Sequence, residues 1–129
     1  MTPALEFHWR SVSYPVIWSA AAAAIALIVA PVPAADAQIA KGRSLAQDVY
    51  KGNCLACHQI PGDTTAVSLA NIGPPLIALR ERFPDRAVLR RQIWDPALRN
   101  PQTVMPPFGK HRILTEQEID LVIDYLYQY

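Results

Sequence analysis

Two thiols and an imidazole fall within five residues, Cys54-Leu55-Ala56-Cys57-His58, and these are the only cysteines of the 129-residue chain. Four chemistries could use such a cluster. In covalent haem attachment, a C-x-x-C-H run adds each thiol to one vinyl group and the adjacent histidine binds the iron. One helical turn between the thiols sets both sulfurs along one porphyrin edge. A thioredoxin-like redox pair places C-x-x-C at the start of a helix in a βαβ pattern. No strand pattern is legible here, and that chemistry makes no use of His58. A structural zinc site needs four ligands, yet the chain has no second C-x-x-C and no H-x-x-H, and only His111 stands downstream of the motif. A plain disulfide over so short a loop stabilises little, because loop-closure stabilisation grows with loop length, and it too leaves His58 unexplained. Haem attachment is the reading that uses all three residues.

A haem iron has a sixth position. Beyond the initiator, the one methionine is Met105, in PQTVMPPFGKH. Prolines fix φ and resist both helix and strand, so this segment should be a stiff, extended loop able to hold a thioether at a set place. A lone methionine is ordinarily core filling, but a filler should lie on an apolar helix face, which this is not. His111 is the alternative ligand, and its position past Gly109 and Lys110 predicts the surface. Histidine plus methionine fills the iron and raises its potential. Such a site moves one electron and leaves no open position for a substrate.

The elements that must position these groups read as helices and loops. Residues 39–50, IAKGRSLAQDVY, look helical, with Ile39, Ala46, Val49 and Tyr50 on one apolar face. The haem motif can form a second short helical segment. A polar loop with Gly62, Asp63, Thr64 and Thr65 leads to NIGPPL. There Pro75 suits a first helical turn, Leu76, Leu79 and Phe83 continue it, and Pro84 ends it. Asp85 can cap DRAVLRRQIW, which Asp95-Pro96 closes. In the last helix Thr115 and Glu118 form a capping box. Ile119, Val122, Ile123 and Leu126 line one stripe, Tyr125 sits on its flank, and Asp120, Asp124 and Gln128 face water. The fold class is all-α: a few short helices and loops around one haem.

The first third has a different character. Arg10 precedes the apolar run from Val16 to Ala30, and PVPAADAQ offers Ala35 and Ala37 as a small-x-small exit. This order describes a secretory signal peptide over residues 1–37, removed to leave a domain of 38–129. The rival is an uncleaved anchor, although the run is shorter than the roughly 20 apolar residues that span a bilayer. His8, Trp9 and Trp18 then belong to no fold. From Gln38 on, eleven Lys and Arg stand against nine Asp and Glu. That balance gives no argument for nucleic acid. A domain this small buries little surface and needs something beyond its own side chains to complete the core.

The order of these features resembles a class I cytochrome c: first helix, CxxCH, GP, methionine loop, closing amphipathic helix. The resemblance implies that the Pro74 carbonyl accepts the imidazole N–H of His58. It also implies that the first and last helices cross, with Ala46, Tyr50 and Leu121 to Tyr125 at the contact. Thr103 looks like the threonine that bonds a propionate in that family, though a simple loop hydroxyl explains it as well. Trp94, Arg91 and Arg99 are further candidates for the propionates, set against the alternative of solvated side chains.

Four stretches together, KGNCLACHQIPG, NIGPPL, RFPDRAVLRRQIWDP and NPQTVMPPFGKHRILTEQEID, resemble the SoxX family over nearly all of residues 41–127. CxxCH and GP are common to many cytochromes; the long block around Met105 is more specific. The resemblance implies a periplasmic mono-haem subunit, touching the membrane only during export. Its implied partner is a larger SoxA-like cytochrome in a heterodimer that couples thiosulfate oxidatively to a cysteine of the SoxYZ carrier, chemistry of the L-cysteine S-thiosulfotransferase type. SoxYZ and a downstream electron acceptor would be transient partners. The expected site is then Cys54 and Cys57 for attachment, His58 and Met105 on iron, and Pro74 and Thr103 in support, with no catalytic residue in this chain. Two competitors stand beside it: a free periplasmic shuttle delivering electrons to a terminal oxidase, and a non-redox binding module with CLACH as a disulfide.

Overall fold

A computed structural model describes residues 34–129. Most of the expected signal peptide, with His8, Trp9 and Trp18, lies outside the described residues. Among the described residues four α-helices carry the architecture: α1 (Ala34–Gln47), α2 (Leu79–Arg82), α3 (Arg86–Trp94) and α4 (Glu116–Leu126). Single 3-10 turns lie at Cys54–Ala56 and Pro96–Leu98. No strand is present among the described residues, as an all-α chain requires. None of the described helices is long and apolar enough to cross a membrane.

α4 forms as its sequence dictates. The Thr115 hydroxyl accepts from the Glu118 backbone N–H (3.2 Å), and the Glu118 carboxylate accepts from the Thr115 N–H (2.8 Å). Two of the first-turn donors that a helix start leaves orphaned are thereby satisfied. Ile119, Val122, Ile123 and Leu126 are all buried. Tyr125 is not on the flank of this stripe but wholly inside it, at 0 % exposure. Asp120 and Asp124 are half-exposed rather than free in water: Arg90 Nε reaches Asp120 at 3.0 Å and Arg86 Nη1 reaches Asp124 at 2.6 Å. These pairs hold α3 along α4. The Asp85 carboxylate caps α3 by accepting from the Ala87 N–H at 2.9 Å, and the helix stops at Trp94, before Asp95-Pro96.

α1 and α4 cross, and the residue that permits it is Gly42. A Cβ there would run into the Leu121 carbonyl oxygen and press on the Tyr125 Cβ. Ala46, one turn on, is fully buried in the same contact. Tyr50 does not join it, contrary to the expected apolar face. α1 ends at Gln47, the chain turns at Asp48–Gly52, and Val49 and Tyr50 are 66 % and 90 % exposed. The start of α1 also differs, since the helix begins at Ala34 and runs through the expected cleavage junction after Ala37.

The expected helix from Pro75 shortens to one turn. Leu76 donates its N–H to the Gln59 carbonyl, and Ala78 adopts φ 52°, left-handed backbone that interrupts a right-handed helix. Only Leu79–Arg82 is helical. Leu76, Leu79 and Phe83 keep a shared inward direction through this bend, which is why their spacing imitates a longer helix.

Candidate haem site

The haem motif sits in a tight turn. Asn53 enters in left-handed backbone (φ 44°), and the Cys54 carbonyl then accepts from both Cys57 N–H (3.2 Å) and His58 N–H (2.9 Å). That winding holds the two cysteines and the histidine together. Behind it the chain runs out through residues 59–71 and returns. Gly73 N–H donates to the Cys57 carbonyl (2.8 Å), Gln59 Nε2 to the Ala70 carbonyl (2.9 Å), and the Ser68 hydroxyl to the Leu55 carbonyl (2.7 Å). The return strap therefore lies against His58.

His58 Nδ1 is 2.7 Å from the Pro74 carbonyl oxygen. A carbonyl can only accept, so Nδ1 carries a proton; in the neutral ring this leaves the lone pair on Nε2, the tautomer a metal-binding imidazole needs. Gly73 is required at its place because a Cβ would enter the imidazole ring itself.

These groups open onto one cavity of about 760 Å³, within the range of roughly 300–1,000 Å³ that cofactor sites occupy. Cys54, Cys57, His58, Pro74, Thr103 and Met105 all line it. Its interior is apolar, with Leu79, Leu89, Ile93, Phe108, Leu114 and Val122 drawn from α2, α3, α4 and the methionine loop. No aspartate or glutamate lines it.

Met105 is held from two directions. The Thr103 hydroxyl accepts from the Met105 N–H at 3.1 Å, and Thr103 N–H in turn donates to the Asn100 carbonyl at 3.0 Å. Gln92 Nε2, on α3, lies 3.9 Å from the Met105 sulfur. Gln92 carried no signal in the sequence as a site residue; it occupies an ordinary polar position in a helix rich in arginine. The Thr103 hydroxyl, used as an acceptor, keeps its own proton to give. His111 is exposed and does not line the cavity. Trp94, Arg91 and Arg99 also lie off the cavity lining. Trp94 packs over Gly109, and Arg91 lines a separate shallow surface pocket beside it. The cations at the cavity are instead Arg82 and Lys51. Lys51 is bound to Glu118 at 3.0 Å, and Arg82 to the Pro75 and Ile77 carbonyls.

The donor set fits haem c and fits the other readings poorly. Burial pushes the Cys54 thiol up to about 11, whereas a redox-active C-x-x-C needs a depressed thiol. Among the described residues no three His, Cys, Asp or Glu side chains gather as a metal cluster, so zinc lacks its four ligands. An apolar cavity with two thiols, a correctly protonated imidazole and a thioether is what a thioether-linked porphyrin needs.

The family model described as Cytochrome c matches residues 39–129. The chain belongs to the cytochrome c family. Haem c is accordingly its cofactor, attached through Cys54 and Cys57, and the cytochrome is a haem electron-transfer protein. When bound, that group supplies a one-electron iron couple. The chain's own residues do the rest: the motif turn fixes both sulfurs, Pro74 fixes the imidazole proton, and the apolar part of the lining supplies walls for a porphyrin to pack against. A curated relative is an uncharacterised lipoprotein of Aquifex aeolicus (strain VF5), 36 % identical over 77 residues, which make up 60 % of this chain and 36 % of that protein. The chain thus aligns with little more than a third of that relative's length.

Proposed function

We propose that this cytochrome is the electron-accepting SoxX-type subunit of a periplasmic SoxAX complex, in which His58 and Met105 would hold the iron, Pro74 orients His58, and Thr103 would donate to a haem propionate. A larger SoxA-like cytochrome would carry the oxidative coupling of thiosulfate to the SoxYZ carrier cysteine. This chain would carry the electrons away. Both its cysteines are consumed by haem attachment, so it cannot itself hold a persulfide. The resemblance of the Asn100–Thr115 block supports the subtype, and an arriving leader with a small-residue exit supports export, as does the lipoprotein designation of the Aquifex relative.

The observation that carries a fixed partner over a free shuttle is the apolar surface beside the cavity. Tyr50 is 90 % exposed, next to the lining residues Val49 and Lys51, and Ile77 is 45 % exposed, directly after the lining residue Leu76. Large exposed apolar side chains next in sequence to the residues of a functional opening are candidates for an interaction surface, and a fixed partner would bury them. A C-terminally tagged chain purified from its thiosulfate-grown native host tests this. A second, larger c-type cytochrome in stoichiometric amount supports the SoxX reading. A red, monomeric protein emerging alone supports the shuttle and overturns it.

A further inference from the structure

We infer that Gln92 is a positioning residue for the electron-transfer centre, holding the Met105 sulfur by an amide N–H donated to it and thereby setting both the strength of the methionine ligand and the potential. The inference rests on the reading of Met105 as the sixth ligand. A thioether sulfur is a weak acceptor with two lone pairs. One can face a metal while the other receives a donor. The Gln92 Nε2–Met105 Sδ distance of 3.9 Å is within reach of such a bond to sulfur. Both side chains line the same cavity, and both are only partly exposed, so water competes weakly for the contact.

The arrangement divides the work on Met105. Thr103 fixes its backbone, through the N–H to the threonine hydroxyl. Gln92 fixes the far end of a side chain that has three rotatable bonds and no preferred shape of its own. The two holds come from different elements, a proline-rich loop and a rigid helix. A donor at the sulfur also draws electron density from it. The weaker sulfur donor stabilises the oxidised iron less, so the potential of the intact site is higher than without Gln92. Hydrogen bonds around the ligands are among the levers by which a protein tunes a haem.

The test uses the haem-loaded protein with Gln92→Leu, which keeps the bulk and removes the donor, and Gln92→Asn, whose amide is too short to reach. Both should lower the reduction potential, by the equivalent of about a two- to tenfold change in the ratio of oxidised to reduced iron at a fixed potential, the factor one ordinary hydrogen bond represents. They should also change the haem-methyl pattern in the ferric NMR spectrum, which reports the orientation of the sulfur lone pair. Covalent haem content should stay at the wild-type level. Wild-type potential and an unchanged haem-methyl pattern in both variants, alongside a methionine band that Met105→Ala abolishes, would overturn the role of Gln92 alone. A band that survives Met105→Ala would overturn the ligand reading and this inference with it.

Discussion

His58 Nδ1 lies 2.7 Å from the Pro74 carbonyl, and the glycine preceding that proline sits so close to the same imidazole that a Cβ there would enter the ring. Ring orientation and ring protonation are therefore both set by one strap, which Gly73 N–H ties to the Cys57 carbonyl. Gly73→Ala would drive a methyl into the ring. It should displace His58 and reduce the yield of covalently loaded, low-spin protein several-fold, as read from the haem absorbance per mole of purified chain.

The α1–α4 crossing depends on Gly42, since a side chain there meets backbone, the Leu121 carbonyl, which cannot swing aside. Overpacking typically costs about 1–3 kcal/mol, and a clash with backbone belongs at the upper end. Gly42→Val should lower the stability of the holoprotein by roughly 3 kcal/mol or more in denaturant titration, while leaving the optical spectrum of the surviving folded fraction unchanged.

Asp63 joins three segments. Its side chain, 2 % exposed, takes the Arg43 guanidinium at 3.0 Å, the Tyr125 hydroxyl at 2.7 Å, and both the hydroxyl and N–H of Thr65. Burial acts to raise its pKa, but these hydrogen bonds and the Arg43 charge outweigh that and hold the carboxyl well below the usual carboxylate range. A depressed folded pKa gives stability that is complete above the unfolded value of about 3.9 and is lost as pH falls toward the folded one. Acid should therefore destabilise the wild type progressively below about pH 4. Asp63→Ala should cost about 2 kcal/mol at neutral pH, chiefly by orphaning the buried Tyr125 hydroxyl, and should flatten the acid limb of the stability profile.

The cavity lies against the core. Without its cofactor, Leu79, Leu89, Ile93, Phe108 and Val122 would face about 760 Å³ of unfilled space, more than a marginally stable small domain can sustain. The double variant Cys54→Ala, Cys57→Ala should retain some helix by far-UV circular dichroism but lose its cooperative unfolding transition. A sharp transition in that variant would contradict a haem-dependent core.

The parts of this molecule that sequence displays are those governed by local rules. The capping box of Thr115 and Glu118, the Asp85 cap, the α4 stripe and CxxCH each depend on residues within a few positions of one another. What stayed hidden depends on partners far along the chain. Gly42 reads as an ordinary helical glycine until Leu121 is placed against it. Tyr125 reads as a flank residue until Asp63, in a loop with no periodic pattern, supplies a buried acceptor for its hydroxyl. Leu76, Leu79 and Phe83 imitate a helix because a bent strap lining a cavity also repeats its inward direction. Tyr50, for its part, was expected in the helix crossing, since nothing local shows that α1 stops at Gln47. Gln92 became visible only through its distance to Met105.

The most direct test of the central claim, a filled histidine–methionine iron that moves single electrons, is the ferric optical spectrum of the purified holoprotein beside that of Met105→Ala. The account predicts that the variant keeps its covalent haem, loses the long-wavelength methionine–iron band, and gains an open position that binds added imidazole readily. A band of unchanged intensity in Met105→Ala would contradict it.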